Sequence, residues 1–316
     1  MVVTRDRARA ARRRTEPSPK VLFLGGYARS GSTIVDRAIG AADSCVSTGE
    51  IRSIWTRGFF DDQPCGCGEP FSDCAFWREV LQEAWGGRGG VDISEIVSLQ
   101  DRVDRWWRIP QIGPGIGMRA DLGAYSSVLS QLYRAIQLVS GARVIVDSSK
   151  GASHGWVLRS LGDAIDLSVL HVVRDSRAVA FSLCERRKFD PASGEVWGAH
   201  GLARTIAGWT ATNAPVEGLG RSGKVLYLRL PYEAFCAEPD RTLARIGVFL
   251  GVEPPPLIGP DGIDPGIQHQ VAGNPVRFAR GPIAIRADDE WRRSMSVLGR
   301  RIVTAATWPM LRRGSS

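Results

Sequence analysis

The sequence predicts an α/β protein with a phosphate-loop-like core: an open parallel sheet flanked by helices, in three layers. Three observations carry that expectation. Four short runs rich in Val, Leu and Ile, VLFLGG (21–26), ARVIVD (142–147), DLSVLHVV (166–173) and KVLYLRL (224–230), read as strands buried on both faces. Helix-period apolar patterns lie between and after them, which implies crossover connections and a doubly wound sheet. A glycine-rich turn, GYARSGST (26–33), joins the first run to a helix.

Taken in order, the first 20 residues hold seven Lys/Arg against Asp6 and Glu16, so five of the eight net positive charges sit there. Pro17 and Pro19 argue against a helix running into the first strand, and residues 1–19 read as a disordered, solvated tail. Residues 20–312 read as one domain and are only mildly basic, and the hydrophobic content of the full sequence, 43%, is ordinary for a globular protein. Only four of the 41 basic residues are lysines, a bias expected of a GC-rich bacterial coding sequence. With no apolar run of membrane-spanning length and no secretory signal at the start, a cytoplasmic protein is expected.

Residues 51–125 break the strand–helix rhythm. They hold five of the ten tryptophans and read as a helical and loop insertion over the ligand face, a lid and acceptor surface. Within it, PCGCGEPFSDCAFW places Cys65, Cys67 and Cys74 at C-x-C-x6-C spacing. That supplies three thiolates, one short of a closed zinc site unless Cys45 joins. A packed cysteine cluster and a redox pair fit the same spacing. Beyond the insertion, Val128, Leu129, Leu132, Tyr133, Ile136 and Val139 mark a helix before ARVIVD. Leu243, Ile246, Phe249 and Leu250 mark another, with Gly251 placed to stop it.

The glycine turn is the chemical centre. A Walker loop reads G-x-x-x-x-G-K-[ST]; here Gly26 and Gly31 keep the spacing but Ser32 and Thr33 come directly after, with no lysine. A strand–turn–helix of this kind aims backbone N–H groups at an anion. Ser30, Ser32 and Thr33 add hydroxyl donors, and Arg29 adds a planar fork suited to a phosphate or sulfate edge. Without the lysine that bridges β- and γ-phosphates, an ordinary nucleoside triphosphatase is disfavoured. Asp147, at the end of ARVIVD, still leaves open a kinase or hydrolase using ATP and Mg²⁺. Downstream, LHVVRDSRAVAFS runs from strand into helix, and Arg174 with Ser182 offers a second anion site at a neighbouring strand's carboxyl end.

GYARSGST, VDSSK (146–150) and VVRDSRAVAFS, in that order, resemble the sulfotransferases that use 3′-phosphoadenosine 5′-phosphosulfate (PAPS), in the bacterial, carbohydrate- and tyrosylprotein-like branch. YEAFCAEPDRTLARIGVFLGVE (232–253) resembles a later family segment, with Ala234 where an acidic residue is usual. HQVAGNPVRF (269–278) resembles its nucleotide-closing loop. The resemblance implies that Arg29, Ser30, Gly31, Ser32 and Thr33 bind the phosphosulfate and that Arg174 and Ser182 bind the 3′-phosphate. Gly273, Asn274 and Arg277 would close over the nucleotide.

It further implies metal-independent transfer to a hydroxyl of a carbohydrate, glycolipid or small metabolite. Arg29 and Lys150 would stabilise the leaving group, and Glu50, in STGE, would be the base. The competing roles for Glu50 are pairing with Arg52 or capping a helix near Ile51, and the competing base is His154. His171 reads as a core histidine. No specific nucleic-acid partner is expected, and the remaining alternative is a non-catalytic protein that binds the nucleotide, or an anionic polymer through the basic tail.

Overall fold

The computed structural model describes residues 17–311, apart from 115, 186–187, 191–194, 198–199, 257–258 and 260. The tail expected to be disordered falls, over residues 1–16, outside the described residues. β1 (Lys20–Gly25) leads through a tight turn into α1 (Ser32–Ile39), followed by β2 (Cys45–Gly49). The stretch expected to be an insertion forms a 3₁₀ turn (Ile51–Ser53), a π-helical stretch (Ile54–Phe60), α2 (Ala75–Trp85) and α3 (Ile93–Val103). Then come α4 (Arg119–Ser140), β3 (Val144–Lys150), α5 (Ala152–Ser160), β4 (Asp166–Val173) and α6 (Ser176–Ala180). A short antiparallel hairpin, Lys188–Asp190 with Glu195–Trp197, stands outside the main sheet. The chain closes through α7 (Leu202–Arg221), β5 (Leu226–Pro231), α8 (Tyr232–Ala237), α9 (Pro239–Leu250) and α10 (Val297–Leu311).

The sheet has five parallel strands in the order β2-β3-β1-β4-β5. All four predicted strands are present, the last beginning at Leu226 rather than Lys224. The fifth, CVSTG, carries no apolar run and was not anticipated. Its hydroxyls are satisfied by neighbours: Ser47 donates to Asp36 Oδ1 at 2.6 Å and Thr48 to the Val146 carbonyl at 2.8 Å. Tertiary partners therefore make a polar segment strand-competent where local pattern reads it as loop.

Alternation along β1 shows why the central strand is apolar on both faces, whereas the edge strand β5, expected to be buried on both faces, is largely half-exposed, with Leu226 56% exposed. Val21 and Phe23 enter a core with α2, α3, α4 and α5, while Leu22 and Leu24 enter a second core with α1 and α9. Each fully buried Val, Leu or Phe side chain contributes about 1.5–3 kcal/mol, and the central strand places such residues on both faces. Leu122, Tyr125, Leu129, Leu132, Tyr133 and Ile136 form the buried stripe of α4, and α9 ends at Gly251 (φ 66°) as its sequence predicts. Of the tryptophans in 51–125, Trp55 and Trp77 are wholly buried, whereas Trp106 and Trp107 are exposed.

After β1 the chain steps to the β2 edge, returns to β3 beside β1, and then crosses to β4 on the other side. Connections thus diverge around β1, and the turn after β1, the end of β3 and the end of β4 share one edge of the sheet, where open α/β sheets bind ligands. Among the described residues, no helix is long and apolar enough to cross a membrane.

Candidate active site

A cavity of ≈ 610 Å³ opens at that carboxyl edge. Its wall begins with the turn after β1. Gly26 (φ 151°) donates its N–H to the Lys150 carbonyl at 3.1 Å, and a Cβ there would lie 2.3 Å from the Val172 carbonyl oxygen, so only glycine fits. Gly31 (φ 85°) opens α1 with no side-chain cap. The first-turn N–H groups of a helix have no intrahelical acceptors, and they carry the positive end of its dipole. The hydroxyls of Ser30 and Ser32 are about 1% exposed and have no hydrogen-bond partner. Buried donors left in that state cost stability, and an anion in the cavity would give Ser32 its missing acceptor. Ser32 and Thr33 line the cavity; Ser30 sits behind them.

The two anion sites read from the sequence form one cluster. Arg29 donates from Nε to Ser182 Oγ at 3.0 Å, and its own carbonyl accepts from Arg174 Nη1 at 3.1 Å. Arg174 also pairs with Asp288 at 3.6 Å and lies over the Tyr232 ring. Arg29 and Arg174 reach the cavity; Ser182 does not, but orients Arg29 from behind. Glu233, beside Tyr232, accepts the Asp175 N–H at 2.9 Å and so fixes the turn that carries Arg174. Tyr232 packs directly on Gly31.

Opposite this cluster, the Lys150 ammonium pairs with the Glu50 carboxylate, the two side chains being about one-fifth exposed. They stand at the ends of adjacent strands β3 and β2, where the register of both strand pairs shifts. A bulge of this kind re-aims side chains. Among the described residues, three that are not glycine have left-handed backbone: Arg29 (φ 63°), Lys150 (φ 63°) and Asp62 (φ 47°). Two of them are the cations expected to act in catalysis, and strained backbone of this sort concentrates at functional sites. Neither competing role for Glu50 occurs: Arg52 is bound to Asp104 at 2.9 Å, and Glu50 makes no side-chain cap.

The third wall is Ala272–Arg277, which includes Gly273, Asn274 and Arg277. Gly273 (φ 125°) sits close to Glu50 and Thr33, the Asn274 side chain accepts the Val276 N–H at 3.2 Å, and Arg277 donates to the Gly273 carbonyl at 2.5 Å. Arg37 on α1 holds this segment through the carbonyls of Val276, Ala279 and Gly266. Arg37, Arg57 and Arg286 carry no local motif, and sequence reasoning missed them. The last two bring the cations lining the cavity to six, against Glu50 and Asp288. Such an excess focuses positive potential on an anionic ligand.

Two sequence candidates are engaged elsewhere. His154 is fully buried between Asp104 (3.3 Å) and Asp147 (3.1 Å). Burial alone would lower its pKa, but the two carboxylates prevail and push it up to about 9. It does not line the cavity. Asp147 is consumed by Tyr133 (2.6 Å), the Ser149 hydroxyl and His154, and so faces the interior. His171 lies in the core between Tyr227 and Asn213, its pKa lowered by burial to about 4. Beneath the loop, burial raises the Asp36 carboxyl to about 7 even though Ser47, Ser148 and Gln270 donate to it.

No family model and no curated protein matches the chain. Among solved structures it is similar to the sulfotransferase domain from the Synechococcus PCC 7002 olefin synthase, with 19% identity, a TM-score of 0.51, and coverage of 92% of this chain and 94% of that one. It also aligns with the sulfotransferase domain from the curacin biosynthetic pathway, at 17% identity, TM-score 0.49, and 92% and 98% coverage. A sulfotransferase from Mycobacterium tuberculosis H37Rv aligns at 14% identity, TM-score 0.41, over 76% of this chain and 69% of that one. The first likeness, over nearly the full length of both chains, shows that the fold is shared.

Proposed function

We propose that this chain is a cytoplasmic sulfotransferase that moves the sulfuryl group of PAPS to a hydroxyl of a small metabolite, carbohydrate or glycolipid. One observation carries the reading: Arg29, Lys150 and Arg174 converge from the ends of three adjacent strands around buried serine hydroxyls that have no partner. When bound, the donor supplies a sulfuryl group on a phosphate that departs as adenosine 3′,5′-bisphosphate. The residues fit it. Arg29, the α1 N-terminus, Ser32 and Thr33 suit a phosphosulfate, Ser30 being set behind the cavity wall rather than in it, and the Arg174 fork suits the 3′-phosphate.

In the transfer, Glu50 takes the proton of the incoming hydroxyl as its oxygen bonds to sulfur. Lys150 and Arg29 hold positive charge where the bridging oxygen becomes a phosphate oxygen. Positioning and fixed charge then supply most of the acceleration. Gly273, Asn274 and Arg277 shut the cavity against water. The kinase alternative loses support, because the carboxylate it needs for Mg²⁺, Asp147, is turned into the core.

Calorimetry tests the donor assignment with adenosine 3′,5′-bisphosphate, adenosine 5′-phosphate and ATP·Mg²⁺. The bisphosphate should bind best. Arg174→Ala should weaken it about 10- to 150-fold, the worth of one or more charge-assisted hydrogen bonds, while barely changing the 5′-monophosphate. Equal losses for both ligands, or preferential binding of ATP·Mg²⁺, sink the proposal.

A further inference from the structure

We propose that Cys65, Cys67, Cys74 and His269 hold one Zn²⁺ ion in a closed, structural site. From the sequence, three thiolates are visible and the fourth ligand is missing. The fold supplies it from a residue 195 positions after Cys74. Cys74 Sγ lies 3.3 Å from His269 Nδ1, Cys65 Sγ lies 3.8 Å from the same nitrogen, and Cys67 Sγ is 3.7 Å from Cys74 Sγ. All four ligand atoms fall within 4.8 Å of one another. A tetrahedral zinc ion with Zn–S of about 2.3 Å and Zn–N of about 2.0–2.1 Å separates its ligands by about 3.8 Å (S to S) and about 3.6 Å (S to N). The three separations given above lie close to those of a zinc tetrahedron. Cys45, the fourth ligand considered from sequence, is not in the cluster.

The surroundings are built for the same purpose. Cys65–Gly68 forms a tight turn: the Gly68 N–H donates to the Cys65 carbonyl at 2.7 Å, and Gly68 has φ 100°. Arg280 donates to the carbonyls of Gly66 (3.0 Å) and Cys67 (2.7 Å), which holds the turn that carries Cys65 and Cys67. The imidazole of His269 stacks on Phe76 at 4.9 Å, and its carbonyl accepts the Trp77 indole N–H at 3.0 Å, so the residue is fixed from two sides. Cys65 and Cys74 are buried. Three sulfurs and one imidazole are a soft donor set that favours zinc, and four protein ligands leave no position for a substrate. A disulfide within the trio would leave the remaining thiol and His269 facing each other without a function.

The site joins two distant parts of the chain. Gly66 donates its N–H to the Gln270 carbonyl at 2.9 Å, Val271 donates to Thr48 at 3.0 Å, and the Gln270 side chain donates to Asp36. Gly273, a few residues beyond His269, lines the cavity. Zinc would therefore anchor the segment that forms the cavity's third wall.

The test begins with the reduced wild-type chain purified from zinc-supplemented medium, with metal content measured by mass spectrometry. It should carry one zinc per chain. After exchange, Co²⁺ should give the intense visible bands and thiolate charge-transfer of a tetrahedral sulfur-rich site. Chelator treatment should lower the melting temperature, and re-added zinc should restore it. His269→Ala should weaken zinc binding at least about tenfold in competition with a chelating dye, whereas His269→Cys, which restores a four-ligand set, should retain it. A wild-type chain with no stoichiometric metal, an octahedral Co²⁺ spectrum, or a Cys67–Cys74 disulfide in the native protein would each overturn the site. Because the Co²⁺ spectrum is read on the wild type, a variant that fails to fold does not decide the outcome. Adenosine 3′,5′-bisphosphate binding by the same preparation separates failure of the zinc site from failure of the donor assignment.

Discussion

Replacing Glu50 with Gln removes one proton acceptor and almost no volume. In the resting protein the Glu50 carboxylate pairs with the Lys150 ammonium, both about one-fifth exposed. The pair lies between the exposed limit of about 0–1 kcal/mol and the buried limit of about 3–5 kcal/mol for breaking an ion pair. Losing it should cost about 1–2 kcal/mol and lower the melting temperature by a few degrees. The chemical effect is expected to be larger. A positioned general base is worth about 10²–10⁴-fold, or about 2.7–5.4 kcal/mol of barrier.

Donor affinity should barely change, because the phosphate contacts proposed above come from the loop after β1, from Arg174 and from the 273–277 segment. The assay is transfer of labelled sulfate from PAPS to the best hydroxyl acceptor of a panel, with nucleotide affinity measured separately and unfolding followed by calorimetry. The expected result is a fall in kcat of at least about 100-fold, with bisphosphate affinity within about threefold of wild type. A loss under about tenfold, or one that resides wholly in donor affinity, refutes the role of Glu50 as base.

Two further outcomes rest on single sites. Gly31→Ala places a methyl group 2.1 Å from the Tyr232 ring and forces φ 85° on a residue with a Cβ. The backbone term alone costs about 1–2 kcal/mol, so melting should fall by several degrees, and less so in a Tyr232→Ala background. Additive losses in that cycle refute the clash. The second concerns His154, whose pKa of about 9 lies above its ordinary 6.5. The stability it contributes is full below pH 6.5 and is lost as pH rises through 9. The expected loss, on the order of 3 kcal/mol, should appear in denaturant unfolding across that window. His154→Asn should flatten the slope, and an unchanged slope counts against the Asp104–His154–Asp147 bridge.

The apolar strands were legible because a parallel sheet covered on both faces favours apolar residues at most positions, and that preference is written locally in VLFLGG, ARVIVD and DLSVLHVV. The phosphate-type loop was legible for a similar reason: Gly26 and Gly31 are required by backbone geometry within a single turn. Arg29, Lys150 and Arg174 were legible because each sits at or just beyond a strand and so inherits the strand's end position.

The hidden features depend on residues far apart in sequence. CVSTG becomes a strand only because Asp36 and Val146 satisfy its hydroxyls. Glu50 could have paired with Arg52 or capped a helix, until β2 and β3 were set side by side and Lys150 met it. His154 read as a spare base until Asp104 and Asp147 closed around it. Arg57 and Arg286 reach the cavity with no motif to announce them. The sequence alone determined the layered sheet and the glycine turn after β1, since both are set by short-range periodicity and backbone sterics. Only the tertiary structure decided the partners of Glu50, the burial of His154 and the meeting of His269 with three cysteines, because each is a contact between chain segments whose approach no local pattern encodes.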